Sequence, residues 1–325
     1  MAGAEGAEII FQQVDGPFAV RPSPPISGGE PDEWPLKGHQ GWTAVGARSA
    51  HASTSSARTD LVAGTEKRGH DIGAEHPAGT KVRLDLAYHG SAFSGFQVQP
   101  DKLTVQGALE GALATLLAEP VVIYGAGRTD AGVHAKHMVC HFTLPRAFIL
   151  GDLLRALNAL TPKELLIFDA REVPWEFHAR YSPHRKFYRY GFDTGRHPDP
   201  FDLELRYHAP GPPPDDAVMQ GVLLGISGTH DFASFTTSKN SSRTTVRTLE
   251  ARLEREDERR FAIVLVGNGF LHNMVRIIAG SVLSAGRGTL RPAVIFGALD
   301  RPDARGELGE TLPAHGLCLE RIEYF

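Results

Sequence analysis

A change in hydrophobic pattern at Lys81 constrains this chain more than any other feature of its sequence. From Val82 to Tyr88, apolar residues alternate with other residues, which is the two-residue period of a half-buried strand. Residues 109–117 then carry apolar side chains at helical spacing, and both periods recur along the rest of the chain. Strands and helices that alternate in two parts of similar size indicate layered α/β or α+β domains.

The two periods also locate the other elements. Strands are predicted at residues 121–124, 138–144, 164–170, 186–192, 245–254 and 261–266. Helices are predicted at residues 150–160, 215–227 and 269–285.

The first 80 residues have neither period. They are rich in Gly, Ala, Pro, Ser and Thr, and we expect a disordered or low-complexity extension over residues 1–80. This segment holds six basic and ten acidic residues, so its balance of 6 − 10 = −4 equals the formal net charge of the whole chain, −4. No function is assigned to it.

Composition excludes several classes of protein. The aliphatic run at residues 262–266 is far shorter than the roughly 20 residues that a membrane helix needs, so no membrane association is expected. The chain has 2 cysteines, too few for a disulfide scaffold or a thiolate metal cage. These features are typical of a cytoplasmic protein.

The glycine-rich segment at residues 125–135 carries the strongest sign of chemistry. Its glycines allow a close approach to a ligand, and Arg128 stands two residues before Asp130, on the same face of an extended segment. Three other interpretations remain open. Asp130 can cap a helix beside a solvated arginine, the loop can bind phosphate, or Asp130 can bind a metal with His134, His137 and His141.

Residues 127–135 resemble the signature loop of the TruA-type tRNA pseudouridine synthases. Further segments resemble other motifs of this family and occur in the family's order: residues 88–97, 104–106, 177–182, 188–190, 230–235 and 273–276. Together they extend from about Lys81 to Gly316 and Leu317.

The resemblance implies an α+β fold of two ferredoxin-like (RNP-like) halves whose sheets form a central RNA-binding cleft. Residues 81–185 would carry the aspartate loop, and residues 186–325 would complete the site. The implied protein is a homodimer that isomerises uridine to pseudouridine in the anticodon arm of tRNA, at tRNA positions 38–40. This reaction involves no redox change and no energy input, so no cofactor or metal is expected.

By resemblance, Asp130 is the catalytic nucleophile or base, and attack at C1′, attack at C6 and proton removal from C2′ all remain open. Arg276 would pair with Asp130, and its removal would cost about 3–5 kcal/mol if the pair is fully desolvated. Tyr188 would stack on the target base. We expect Arg128 to hold the extruded nucleotide, with His134 as a further substrate-binding residue.

Three alternative functions remain open: a non-catalytic RNA-binding module, a related synthase that acts on other tRNA uridines, and a metal hydrolase using Asp130 with the nearby histidines. Residues 81–325 balance at 34 − 6 = 28 basic and 38 − 10 = 28 acidic residues. Because a nucleic-acid enzyme needs positive charge at its substrate, this neutrality predicts a concentrated basic cleft and an acidic outer surface. Residues 238–247 contribute Lys239, Arg243 and Arg247 without an acidic residue.

Overall fold

The structure is a computed structural model that describes residues 79–238 and 244–325. The predicted extension lies outside these ranges, apart from Gly79 and Thr80, and so do Lys239 and Arg243 of the basic stretch. The described chain is an α+β fold with one mixed sheet.

Ten strands form this sheet. They are β1 Thr80–Tyr88, β2 Tyr124–Gly125, β3 His134–Leu144, β4 Leu165–Glu172, β5 His184–Asp193, β6 Tyr207–His208, β7 Gly228–Asp231, β8 Val246–Arg255, β9 Arg260–Gly267 and β10 Leu317–Tyr324. Their order is β4-β1-β3-β10-β5-β9-β8-β7, with β2 beside β3 and β6 beside β5. Most neighbours are antiparallel, whereas β10 is parallel to β3. The order β4-β1-β3-β2 recurs as β10-β5-β9-β8, so β10 joins two similar arrangements into one continuous sheet.

Five α-helices accompany the sheet in the described ranges: α1 Val105–Leu117, α2 Leu150–Leu160, α3 Asp216–Ile226, α4 Met274–Gly286 and α5 Pro292–Gly297. Side chains satisfy free backbone N–H groups where two of them begin. The Thr104 side chain accepts a hydrogen bond from Gly107 N–H, and the Asp215 carboxylate accepts from Ala217 and Val218. α4 is buried along almost its whole length, which fixes its N-terminal turn relative to the sheet.

The core follows the strand periods seen in the sequence. Val82, Leu84 and Leu86 of β1 are fully buried, as are Phe142 of β3 and Tyr190 of β5. These residues belong to a single large apolar cluster that also includes the buried faces of the helices. The site loops are therefore mounted on a packed sheet.

Several predicted boundaries differ from the structure. The apolar run at residues 121–124 pairs only at its end, because β2 begins at Tyr124. His134, which the sequence placed in the loop, is the first residue of β3. The helix expected from residue 269 begins at Met274, because Asn273 has a left-handed backbone with a φ of 61°. The sequence did not predict α5 or β10.

The division into halves at residues 185 and 186 stays a prediction. Within the described ranges, no helix has the length and apolar character needed to cross a bilayer.

Two helical glycines give opposite expectations for substitution by alanine. Gly111 in α1 is exposed, and a Cβ there would meet no atom within 4 Å. A Cβ on Gly280 in α4 would lie 2.2 Å from the carbonyl oxygen of Glu310. We expect Gly111→Ala to raise the free energy of unfolding by about 0.5–1 kcal/mol, since alanine loses less backbone entropy in a helix. We expect Gly280→Ala to lower it by about 1–3 kcal/mol through overpacking. Urea denaturation of the full chain measures both, and equal effects would contradict the packing around α4.

Candidate active site

The loop that carries Asp130 is tied to the sheet at both ends. At its start, Ala126 N–H donates to the Val139 carbonyl of β3 over 2.8 Å. At its end, Val133 N–H donates to the Asp130 carbonyl over 3.1 Å, and Gly132 has a φ of 82° that favours glycine. Asp130 therefore lies in a tight turn of fixed backbone.

Further contacts hold the middle of this loop. Phe96 N–H donates to the Thr129 carbonyl over 3.1 Å, and the hydroxyls of Tyr88 and Thr129 are 2.8 Å apart. Gly95 has a φ of 98°, and a Cβ there would lie 2.9 Å from the Thr129 carbonyl oxygen. The chain that follows β1 thus packs closely against the residue preceding Asp130.

Two basic side chains face Asp130, one from the turn before α4 and one from the first turn of this helix. Arg276 Nη1 lies 3.5 Å from Asp130 Oδ2, and His272 Nε2 lies 3.6 Å from Asp130 Oδ1. These are electrostatic contacts at more than hydrogen-bond length. Within residues 79–238 and 244–325, the Asp130 carboxylate accepts no hydrogen bond, so its oxygens remain available to a ligand.

Other groups set the position of Arg276. Its Nε donates to the Leu312 carbonyl over 2.6 Å, and its Nη1 donates to Asn273 Oδ1 over 2.7 Å. Asn273 Nδ2 donates to Thr237 Oγ1 over 2.8 Å, which also lies 2.8 Å from His272 Nδ1. Asparagine tolerates the left-handed backbone at position 273, so this turn aims both basic residues at the carboxylate.

The structure thus places Arg276 beside Asp130, as expected from the sequence. The pair is not fully desolvated, because the two side chains retain 17% and 33% of their exposure. The cost of about 3–5 kcal/mol expected for a fully desolvated pair therefore does not apply.

Asp130 lines a cavity of about 630 Å³, a volume typical of ligand pockets. Arg128, Arg180, Lys186 and Arg276 also line it, whereas Asp130 contributes the carboxylate. This excess of positive charge agrees with the predicted basic cleft. Arg128 is exposed at the cavity wall, which places it within reach of a bound ligand.

Tyr188 lies in the same cavity, on the central strand β5. It is buried, and its ring meets Phe270 edge to face with 5.0 Å between the ring centres. Burial raises the pKa of the Tyr188 phenol, and the negative charge of Asp130 raises it further. The phenol is therefore neutral at physiological pH, and the two rings provide an aromatic surface beside the carboxylate.

Lys186 is a cavity residue that the sequence analysis did not select. Its Nζ would lie 3.0 Å from a Cβ on Gly127, so the amine sits against the aspartate loop. Burial lowers the pKa of Lys186 to about 8, and the positive charges of Arg180 and Arg247 lower it as well.

The structure does not bring His134 into this cavity. Gly90 N–H donates to His134 Nδ1 over 3.0 Å, and Nε2 is 3.1 Å from the His315 carbonyl oxygen. The ring therefore links the Gly90 turn to the segment before β10, and it lines a separate cavity of about 540 Å³. Substrate binding by His134 stays a prediction.

The other histidines of the metal interpretation also face elsewhere. His137 Nε2 lies 2.9 Å from Asp85 Oδ1, and His141 Nδ1 accepts from Ala179 N–H over 3.2 Å. In the part of the chain that the structure describes, no three His, Cys, Asp or Glu side chains are arranged to hold a metal ion. The geometry gives a metal hydrolase no support.

The sequence did not identify three residues of the cavity as site residues: Lys186, Phe270 and His272. Lys186 shares the strand face of Tyr188 because the two are two residues apart, so strand parity alone was enough to suggest it. His272 was assigned to the helix, but it lies in the turn before α4. No sequence pattern indicated that Phe270 would lie in the cavity.

Comparison with known proteins agrees with this geometry. A family model described as tRNA pseudouridine synthase matches residues 86–182 and 226–324, which include Asp130 and Arg276. The tRNA pseudouridine synthase A of Anoxybacillus flavithermus is 41% identical over 248 residues, covering 75% of this chain and 98% of the relative. That of Bacillus licheniformis is 39% identical over 246 residues, covering 75% and 99%. The tRNA pseudouridine synthase A 1 of Desulfotalea psychrophila is 41% identical over 250 residues, with the same coverage.

The burial of the Lys186 amine predicts the pH at which this side chain titrates. We expect one ¹³C-methylated lysine resonance to titrate near pH 8, since burial favours the neutral amine. NMR of the reductively methylated chain measures this titration, and Lys186→Arg should remove the resonance. Persistence of that resonance in Lys186→Arg would contradict the assignment.

The same pKa has a defined effect on stability. In the folded chain Lys186 loses its proton near pH 8, whereas a lysine in the unfolded chain keeps it until about pH 10.4. Between these values the unfolded state binds more protons, so stability relative to Lys186→Met rises with pH. Urea denaturation across this window measures the difference.

Proposed function

Because this chain belongs to the tRNA pseudouridine synthase family, we propose that it isomerises uridine to pseudouridine in tRNA with Asp130 as the reacting carboxylate. The observation that carries this assignment is the Asp130 carboxylate, which faces Arg276 and opens into a basic, aromatic cavity. Such a carboxylate can form a bond to carbon or accept a proton and then return it.

The reaction needs few groups. The N1–C1′ bond breaks, the uracil ring turns and C5 bonds to C1′. The hydrogen on C5 leaves as a proton, and N1 takes up a proton, so the product is an isomer of the substrate. No electrons are gained or lost, so the chain's own side chains suffice. The Arg276 guanidinium lies 3.5 Å from the Asp130 carboxylate. Within the described residues the Asp130 oxygens accept no hydrogen bond, so they are free to meet the nucleotide.

The aromatic residues suit the uracil ring. Tyr188 and Phe270 present ring surfaces next to Asp130, and stacking holds a base without reading its edge. Since burial raises the pKa of Tyr188, the phenol acts as a neutral hydrogen-bond donor.

A paired uridine must leave its helix to reach this cavity. Arg128 is exposed two residues before Asp130, and we assign it the role of holding the extruded nucleotide. Positive charge at the cavity wall then favours the phosphate backbone, which supplies much of the affinity for nucleic acids.

The finer features of the proposal follow the family resemblance. We propose two ferredoxin-like halves, and the repeated strand order β4-β1-β3-β2 and β10-β5-β9-β8 supports them. We propose uridines 38–40 of the anticodon arm as targets, a homodimer as the assembly and the cytoplasm as the location. The free thiols of Cys140 and Cys318 suit a reducing compartment.

Asp130→Asn tests catalysis separately from binding. We expect the variant to bind tRNA with an affinity within a few fold of the wild type, because the amide keeps the shape of the carboxylate. We expect no tritium release from tRNA labelled at uridine C5, since an amide can serve neither as nucleophile nor as base. Asp152→Asn is the matched control, because Asp152 is exposed on α2. Normal tritium release by Asp130→Asn would leave a non-catalytic RNA-binding module as the better assignment.

The target uridines are tested in cells. We expect tRNA from cells lacking this protein to lose pseudouridine at positions 38–40 and to regain it when the wild-type gene, but not the Asp130→Asn gene, is restored. Pseudouridine mapping by chemical modification and sequencing measures each position. A deficit confined to other positions would replace the anticodon arm with another substrate region.

A further inference from the structure

A group of basic side chains lies at the side of the cavity next to Gly127. Lys186 from β5 and Arg180 from the preceding segment both line the cavity. Arg247 of β8 is close enough for its charge, like that of Arg180, to lower the pKa of Lys186. Three separate segments therefore bring positive charge to one place.

Acidic side chains of the described residues do not balance the charges of Lys186 and Arg180. In residues 79–238 and 244–325, neither Lys186 nor Arg180 forms an ion pair with a carboxylate, and the Lys186 amine donates no hydrogen bond. A partly buried ammonium without an acceptor destabilises the folded chain. Such an arrangement is expected where an anion from outside the chain supplies the acceptor.

Asp130 is not that anion. Its carboxylate faces Arg276 and His272, both from the chain around the start of α4. The charges that act on Lys186 are those of Arg180 and Arg247. The cavity therefore has an acidic site for chemistry and a distinct cationic site beside Gly127.

We propose that Lys186 and Arg180 form a phosphate subsite, which binds a backbone phosphate of the RNA next to the nucleotide held at Asp130. This inference rests on the proposed function, because it takes the ligand in the cavity to be RNA. Gly127 borders the subsite, since a Cβ there would lie 3.0 Å from the Lys186 amine. Lys186 is a positioning residue that fixes the nucleotide through its backbone.

The dependence of tRNA affinity on salt tests the subsite. Each phosphate contact releases counterions, so the slope of log K against log salt measures the number of contacts. We expect Lys186→Met to make the slope shallower by about 0.7–0.9 and to weaken binding roughly tenfold. We expect Lys186→Arg to restore the slope, since arginine also binds phosphate. Lys163→Met is the control, because this lysine is 91% exposed in its side chain and lies outside the cavity.

Stability provides a second readout on the same variants. If Lys186 serves a ligand, Lys186→Met removes an unsatisfied buried charge and should unfold at the same or a higher urea concentration than the wild type. If Lys186 served only the fold, this variant would be less stable. Arg180→Gln gives an independent measurement of the slope and keeps the test valid if Lys186→Met fails to fold.

Different results separate the two proposals. An unchanged salt slope in both Lys186→Met and Arg180→Gln would overturn the subsite. The subsite would also be overturned if Lys163→Met reduced the slope as much as Lys186→Met does. A fall in kcat with unchanged affinity for tRNA in Lys186→Met would overturn the phosphate contact and indicate that the lysine contacts the base. Failure of the wild-type chain to release tritium from tRNA would instead overturn the proposed function, whatever the slope.

Discussion

The contact between Asp130 and Arg276 is the constraint on which the rest of the site depends. Asp130 comes from the loop between β2 and β3, whereas Arg276 comes from α4, about 150 residues later. A charge pair across such a separation forms only once the distant segments that carry its partners have folded together. The buried helix and the closely packed loop therefore set the geometry of the site as well as the fold.

The pair also shows how a carboxylate can be held near a cation while its oxygens stay accessible. Arg276 donates its short hydrogen bonds to the Leu312 carbonyl and to Asn273, and it approaches Asp130 only to 3.5 Å. Its position is thus set independently of the carboxylate. A short bidentate contact would have occupied the oxygens that we propose meet the substrate.

The sequence predicted most regular elements but not all of the site. The strand period located β1, and helical spacing located α2 and α3 within one or two residues. β10 was missed because a bulge between Leu319 and Arg321 interrupts its alternation. His272 was misplaced because helical spacing continues through Asn273, whose left-handed backbone excludes it from α4. The burial of Lys186 depends on contacts between distant segments, which no local pattern contains.

The position of β10 has a consequence for how the protein matures in the cell. This strand follows every other described element in the chain, yet it lies in the interior of the sheet, between β3 and β5. During translation, β3 and β5 each keep an unpaired edge until β10 has left the ribosome. A chain whose translation stalls before this point exposes two unpaired strand edges, which can pair with the edges of other chains. Such a truncated chain is therefore expected to aggregate as well as to be inactive.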